Sequence, residues 1–130
     1  MLKKTIKYTD YNGEEREEDF YFNLTKPEIV ELELSDGGSL TEYINNIVRS
    51  KDSREVFKMF KRIIGLAYGI KTADGKRFVK SEEISKAFFE TPAYETLYME
   101  LLSDAKYAAD FVQQILPPDM RGETHVANNN

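Results

Sequence analysis

Cysteine is absent from the 130-residue sequence. Its absence excludes disulfide bonds, zinc sites with thiolate ligands and cysteine nucleophiles, and it fits a reducing cytoplasm. Histidine occurs once, as His125, in a C-terminal segment that we expect to be mobile. Because a general base needs a fixed position beside its nucleophile, the sequence offers no scaffold for Ser/His/Asp catalysis.

Long hydrophobic runs are also absent. No stretch of about 18 apolar residues occurs, so we expect no transmembrane helix. The first residues include lysines without an apolar run behind them, which is not the pattern of a signal peptide. The formal net charge of -5 argues against a nucleic-acid partner, because such proteins gain affinity by neutralising phosphates. We therefore expect neither a membrane nor a nucleic acid as a partner.

Carboxylates are plentiful, but they form no catalytic pattern. Glu17 and Glu18 are neighbours in a predicted strand, so their side chains point to opposite faces. Glu82 and Glu83 are neighbours in a predicted helix, where only residues three or four positions apart face each other. We therefore expect no catalytic, metal-binding or cofactor-binding residues, and we predict that the protein is not an enzyme.

The composition is that of a single globular domain. Hydrophobic residues make up 41% of the sequence, and eight tyrosines and eight phenylalanines provide an aromatic core without tryptophan. Pro117 and Pro118 should end regular structure, and few apolar residues follow them. We therefore predict one globular domain over residues 1–118 and a flexible C-terminal tail over residues 119–130.

The pattern over residues 3–24 predicts a β-hairpin. Asn12-Gly13 is a strong hairpin turn signal, and apolar residues alternate with polar ones beside it. Pairing Ile6 with Phe20 keeps the apolar side chains on one face, whereas a two-residue turn would place an acid opposite Ile6. This register requires a bulged turn with Gly13 in the left-handed conformation.

The rest of the domain is predicted to be helical apart from a hairpin-like loop over residues 69–79, in which Asp74-Gly75 supplies the turn. Capping residues, prolines and apolar spacing mark the helices. Three of these helices begin after Thr25, Ser39 and Ser81, and two further helical segments cover residues 53–68 and 92–116. Ser103-Asp104 is a candidate break within the last segment. The predicted fold class is α+β, with an N-terminal β-hairpin packed on a mainly α-helical bundle of about five helices.

The helix over residues 53–68 should be central, because its apolar side covers more than half of its circumference. The opposite side is basic and includes Lys58, Lys61 and Arg62. This basic face either binds an acidic partner or is a solvated face that balances an acidic chain. The apolar side consists of Val56, Met59, Phe60, Ile63, Ile64, Leu66 and Ala67.

Exposed tyrosines are further candidates for partner contacts, because a tyrosine combines an apolar ring with a polar end. We select Tyr43 and Tyr98, although tyrosines at helical spacing also occur as core residues. Together with the three basic residues of the central helix, they form the candidate partner-binding set. The acidic run over residues 14–19 either protects a strand edge or pairs with the basic helix of another copy, which would give a homo-oligomer.

Three motifs occur in a fixed order along the chain. They are TIKYTDYNGEEREEDFYFNLTKPEI near the N-terminus, FKRIIGLAYGIKTADGKRFVKSEEIS in the middle and TPAYETLYMELLSDAKYAADFVQQILP near the C-terminus. In this order they resemble a family of small proteins of tailed bacteriophages and prophages, the tail assembly chaperones of long-tailed phages. The resemblance covers residues 3–118, almost the whole chain.

The resemblance implies a non-catalytic function in the host cytoplasm. Such chaperones hold the long, aggregation-prone tape measure protein, recruit tail tube subunits and leave before the particle matures. Many of them exist in a short form and a frameshift-extended form. The implied partners are therefore the tape measure protein and the tail tube protein, and the resemblance transfers no catalytic or binding residue to this sequence.

Two other classes of protein compete with this interpretation. One is a structural virion protein, such as a tail, neck or head-completion subunit, which would remain in the finished particle. The other is a regulatory DNA-binding protein or a small enzyme. For a DNA-binding protein, the helix with Lys58, Lys61 and Arg62 is the candidate recognition helix, but the chain as a whole is acidic.

Overall fold

A computed structural model describes residues 1–36, 39–40, 42, 45 and 53–120. The strands form one antiparallel sheet in the order β1-β2-β3-β4, and the predicted α+β class with an N-terminal hairpin is confirmed. The strands are β1 (Leu2–Thr9), β2 (Glu15–Phe22), β3 (Tyr68–Lys71) and β4 (Phe78–Val79). The helices with described bounds are α1 (Lys26–Asp36), α2 (Ser53–Ala67), α3 (Glu82–Phe89), α4 (Pro92–Ser103) and α5 (Ala105–Gln114).

The N-terminal hairpin pairs β1 with β2 in a register that differs from the predicted one by two residues. Ile6 lies opposite Glu18, and Phe20 lies opposite Lys4. The predicted pairing of Ile6 with Phe20 is therefore wrong. A shift of two residues keeps each side chain on its predicted face, so Ile6 and Phe22 still point into the core, where both are buried.

Asp10 favours the observed register because it closes a three-residue loop. Its backbone N–H donates to the carbonyl oxygen of Glu14 at 2.8 Å, and its carboxylate accepts from the N–H groups of Asn12 and Glu14, both at 2.9 Å. Arg16 donates to the same carboxylate at 2.6 Å, and this bond is the main reason that the pKa of Asp10 lies below its ordinary value. Gly13 has φ of 83°, which confirms its predicted left-handed conformation.

The second hairpin, formed by β3 and β4, confirms the predicted loop after the central helix. Gly75 has φ of 74°, as its position in the turn requires. The sequence did not indicate that β3 also pairs with β2, where Tyr21 lies opposite Gly69 and Phe22 lies opposite Tyr68. The two hairpins therefore form one four-stranded sheet. The strand begins at Tyr68, so α2 ends one residue earlier than predicted.

Short side chains set the helix boundaries as predicted. The capping box at the start of α1 is present: Thr25 N–H donates to the Glu28 carboxylate at 2.8 Å, and Glu28 N–H donates to the Thr25 hydroxyl at 3.3 Å. Asp104 separates α4 from α5 and caps the latter. Glu42 N–H donates to the Ser39 hydroxyl at 3.0 Å, but most of the helix predicted after Ser39 lies outside the described residues.

The C-terminal part of the described chain continues past the two prolines. Residues 118–120 are helical, so regular structure does not end at Pro117-Pro118 as predicted. Met120 packs against the core, and the Asp119 carboxylate forms an ion pair with the Lys26 ammonium group at 2.5 Å. Residues 121–130 lie outside the described residues, and the flexible tail remains a prediction.

An aromatic cluster joins the sheet to the helices. Tyr68 stacks on Phe88 with ring centroids 4.2 Å apart, and Phe22 lies edge-on to Phe88 and to Phe111. The surrounding core draws on the hairpin and on α2, α4 and α5, and the residues that α2 contributes come from its predicted apolar side. Its buried members include Ile6, Phe22, Phe60, Ile63, Ile64, Ala67, Leu97, Leu101 and Val112.

Lys80 connects the end of β4 to the start of α1. Its ammonium group lies 2.7 Å and 2.9 Å from the two carboxylate oxygens of Glu28, and it donates to the carbonyl oxygen of Asn23 at 2.5 Å. Partial burial alone would raise the pKa of Glu28. Hydrogen bonds from Lys80 and Thr25 outweigh that effect and hold the pKa below its ordinary value of 4.5.

The Phe60→Ala change should lower the free energy of unfolding by about 3–5 kcal/mol, because Phe60 is 2% exposed and its loss leaves a cavity. Urea denaturation measures the effect. The control is Leu34→Ala, which should stay within about 0.5 kcal/mol of wild type since Leu34 is 79% exposed. A near-neutral Phe60→Ala variant would mean that the apolar side of α2 is a partner surface rather than part of the core.

The Lys80→Met change should cost about 1–3 kcal/mol at neutral pH, because it leaves a partly buried carboxylate without its cation. The folded-state pKa of Glu28 is lowered, so this stability is present above pH 4.5 and is lost as the pH falls through the folded-state pKa. The urea midpoints of the wild type and of the Lys80→Met variant should therefore approach each other as the pH falls through this range. Lys76→Met, at an exposed turn, is the control, and a constant difference at all pH values would contradict this assignment.

Candidate partner-binding groove

The basic face of α2 points to solvent, as its spacing predicts. Lys58, Lys61 and Arg62 are exposed, while Phe60 and Ile63 on the other side of the helix are buried. This division follows from the 100° step of an α-helix, which separates residues one or two positions apart and groups those three or four positions apart. The basic residues therefore belong to a surface rather than to the core.

An open groove of about 690 Å³ lies beside this basic face. We call it the α2–α3 groove, because α2 and α3 supply most of its described lining, to which Glu28 at the start of α1 also belongs. Its exposed lining is mostly apolar, with Gly65, Leu66 and Phe89 among its residues. Basic residues of the described lining are Lys58, Lys61, Arg62, Lys80 and Lys86.

The floor of the groove depends on a close approach between α2 and α3 at Gly65. A Cβ atom at Gly65 would lie 2.9 Å from the Cζ atom of Phe89, closer than carbon atoms pack. The absence of a side chain therefore lets the Phe89 ring lie against the backbone of α2. The hydroxyl of Ser85 donates to the carbonyl oxygen of Gly65 at 2.6 Å and fixes the same crossing.

The electrostatic character of the groove is opposite to that of the whole chain. Its described lining holds five basic side chains and two carboxylates, Glu28 and Glu82, on a chain of net charge -5. The ion pair between Lys80 and Glu28 offsets one charge of each sign, so basic side chains still outnumber carboxylates in the described lining. Lys61 lies 5.4 Å from the centre of the Phe89 ring, so a cation is held directly beside the apolar floor.

The acidic run on the hairpin has partners within the same hairpin. Glu17 forms an ion pair with Lys7 at 3.5 Å, and the hydroxyl of Thr5 donates to Asp19 at 2.6 Å. Glu18 accepts a hydrogen bond from the hydroxyl of Tyr8. The ion pair offsets one negative charge of the strand, while the two hydroxyl groups orient the carboxylates without changing their charge. Head-to-tail pairing of this run with the basic helix of another copy remains a prediction.

The structure brings together three of the five candidate residues, Lys58, Lys61 and Arg62. Tyr98 lies on α4 outside the described groove lining, where its ring is 5.5 Å from that of Tyr94, and burial raises its pKa. Tyr43 lies outside the described residues.

The sequence did not indicate that residues after the second hairpin also line the groove. Lys80 follows β4, and Lys86 and Phe89 belong to α3, all more than a dozen positions after the basic helix, and no local pattern pairs them with it. Gly65 was the available signal: a glycine inside a helix costs about 1 kcal/mol relative to alanine, which suggests a close contact there.

A metal site or a membrane-spanning helix in the described residues would indicate another function. These residues contain no group of three or more His, Asp or Glu side chains placed to hold a metal ion. Within the same part of the chain, no helix combines the length and apolar character needed to cross a membrane.

Comparison with known proteins gives one match. The sequence model of a family described as "Phage tail assembly chaperone" matches residues 1–129. Searches of the curated proteins and of the solved structures found no match. The family match covers nearly the entire chain and agrees with the resemblance noted from the three motifs. The chain therefore belongs to a family of phage tail assembly chaperones.

Proposed function

We propose that this protein holds the tape measure protein during phage tail assembly and recruits tail tube subunits to it. It acts as a non-catalytic chaperone in the host cytoplasm and leaves before the particle matures. The observation that carries this proposal is the family match over residues 1–129. The phage tail is the common setting of that family, and the tape measure and tail tube proteins are the partners that the resemblance implies.

The α2–α3 groove supports a function in protein binding. A chaperone must present apolar surface to its client and still release it, and an open apolar groove of about 690 Å³ with a charged rim meets both needs. Apolar contact supplies affinity, while charges at the rim supply fast association and specificity. We therefore propose Lys58, Lys61 and Arg62 as partner-contacting residues, with Tyr43 and Tyr98 as further candidates.

Co-expression tests the proposed partners. The tape measure protein encoded near this gene should be largely insoluble alone and should become soluble and co-elute in size-exclusion chromatography when this protein is present. The tail tube protein should join that complex. An unrelated aggregation-prone protein expressed in the same way is the control, and equal rescue of both would contradict a specific chaperone function.

Mass spectrometry of purified phage particles tests the release step. The proposed function predicts that this protein is absent from finished particles while the tape measure and tail tube proteins are abundant. Lysates collected during assembly should contain all three proteins, which controls for poor detection. Presence in particles at stoichiometric level would favour the structural alternative, a tail, neck or head-completion subunit.

A further inference from the structure

We infer that the α2–α3 groove binds an amphipathic helix whose apolar stripe is bordered by carboxylates. This inference deepens the proposed function and rests on it for the source of the helix, a segment of the protein that the chaperone holds. It assigns both a surface and a partner chemistry. The surface is formed by the floor residues Gly65, Leu66 and Phe89 and the rim residues Lys58, Lys61 and Lys86.

The shape of the groove favours a helix. It runs between two helices and opens widely to solvent, so a ligand would be covered on one side and exposed on the other. An amphipathic helix has that division, with anchors at positions i, i+3, i+4 and i+7 on one face and polar residues elsewhere. A small molecule, in contrast, usually binds in a more enclosed site with polar groups converging on it.

The floor offers apolar surface that the fold covers only in part. Leu66 is 37% exposed although α2 buries Ile63 and Ile64 completely. Phe89 packs against the core and its ring centre lies 4.8 Å from that of Tyr94, but the side chain stays only partly buried. Both side chains line the groove, where a ligand would exclude water from them. Apolar residues in the centre and charged residues around them are the usual arrangement of a protein-binding surface.

The positive charge at the rim of the groove determines which partner helices can bind there. Five basic side chains and two carboxylates line the described groove, and the Lys80–Glu28 ion pair offsets one charge of each sign, which leaves an excess of basic side chains. A helix with carboxylates beside its apolar stripe would place them against the basic rim, whereas a helix with lysines there would be repelled. The rest of the chain carries excess negative charge, so a basic partner would be attracted elsewhere.

A nucleic acid fits the groove less well than an acidic helix. Phosphates would meet the basic rim, but the apolar floor would remain in contact with water or with the sugar backbone. Single-stranded nucleic acids bind through bases stacked on a series of exposed aromatic rings. The described lining of this groove provides one aromatic ring, that of Phe89. Charge alone would therefore support weak binding that is sensitive to salt.

Three synthetic peptides of about 20 residues test the inference on the full-length protein, since peptides of this length can form helices. The first carries a leucine stripe bordered by glutamates, the second carries lysines in place of those glutamates, and the third has the first composition in scrambled order. Fluorescence anisotropy should show binding of the first peptide only. Raising the salt from about 50 mM to about 500 mM should weaken it, because screening shortens the range of the rim charges.

Variants of the protein locate the binding site. Lys61→Glu combined with Lys86→Glu should weaken binding of the acidic peptide about tenfold, because two attractive contacts become repulsive. Lys76→Glu combined with Lys106→Glu makes the same change in net charge at exposed positions outside the groove and should leave affinity unchanged. Leu66→Gln should also weaken binding about tenfold through loss of apolar contact. Circular dichroism verifies that all variants are folded.

Several outcomes would overturn the inference. These are equal binding of the acidic and lysine peptides, unchanged affinity in both groove variants, or tighter binding to a labelled single-stranded DNA than to the acidic peptide. The proposed function has a separate test, because it fails if the wild-type protein does not co-elute with the tape measure protein. Co-elution that persists in the groove variants would reject the groove as the docking site and leave the chaperone function standing.

Discussion

The packing of Phe88 against the sheet determines most of the arrangement around the groove. Its ring stacks on Tyr68 with ring planes 13° apart and also contacts Phe20 and Phe22, so α3 is anchored to β2 and β3 at one point. Phe89, the next residue, points 100° further round the helix, where it lines the groove and lies edge-on to Tyr94. Anchoring one phenylalanine in the core thus sets the position of its half-buried neighbour.

Local patterns in the sequence predicted the elements well. The hairpin, the caps at Thr25 and Ser81 and the basic face of α2 each depend on residues close together in the chain. The hairpin register was missed because apolar alternation is satisfied equally by two registers of the same parity. The choice between them depends on Asp10, whose carboxylate binds two N–H groups of the loop, a contact that hydrophobic patterning does not register.

Contacts between distant segments were harder to predict. Pairing of β2 with β3 joins Tyr21 to Gly69, and nothing in either segment alone specifies that partner. The groove is a similar case, because the sequence predicted the basic face of α2 but did not indicate that Phe89 lies beside it. The groove combines the two, so that an apolar ring and several cations lie close together on a chain that is acidic overall.

The direct passage from α2 into β3 has a mechanical consequence. Ala67 ends the helix and Tyr68 begins the strand, so no loop separates the two. The helix cannot turn about its own axis without twisting β3 out of its pairing with β2. The side of α2 that faces the groove is therefore held by the backbone hydrogen bonds of the sheet. A helix fixed at one end in this way lowers the free energy that a ligand in the proposed site would lose to ordering the receptor.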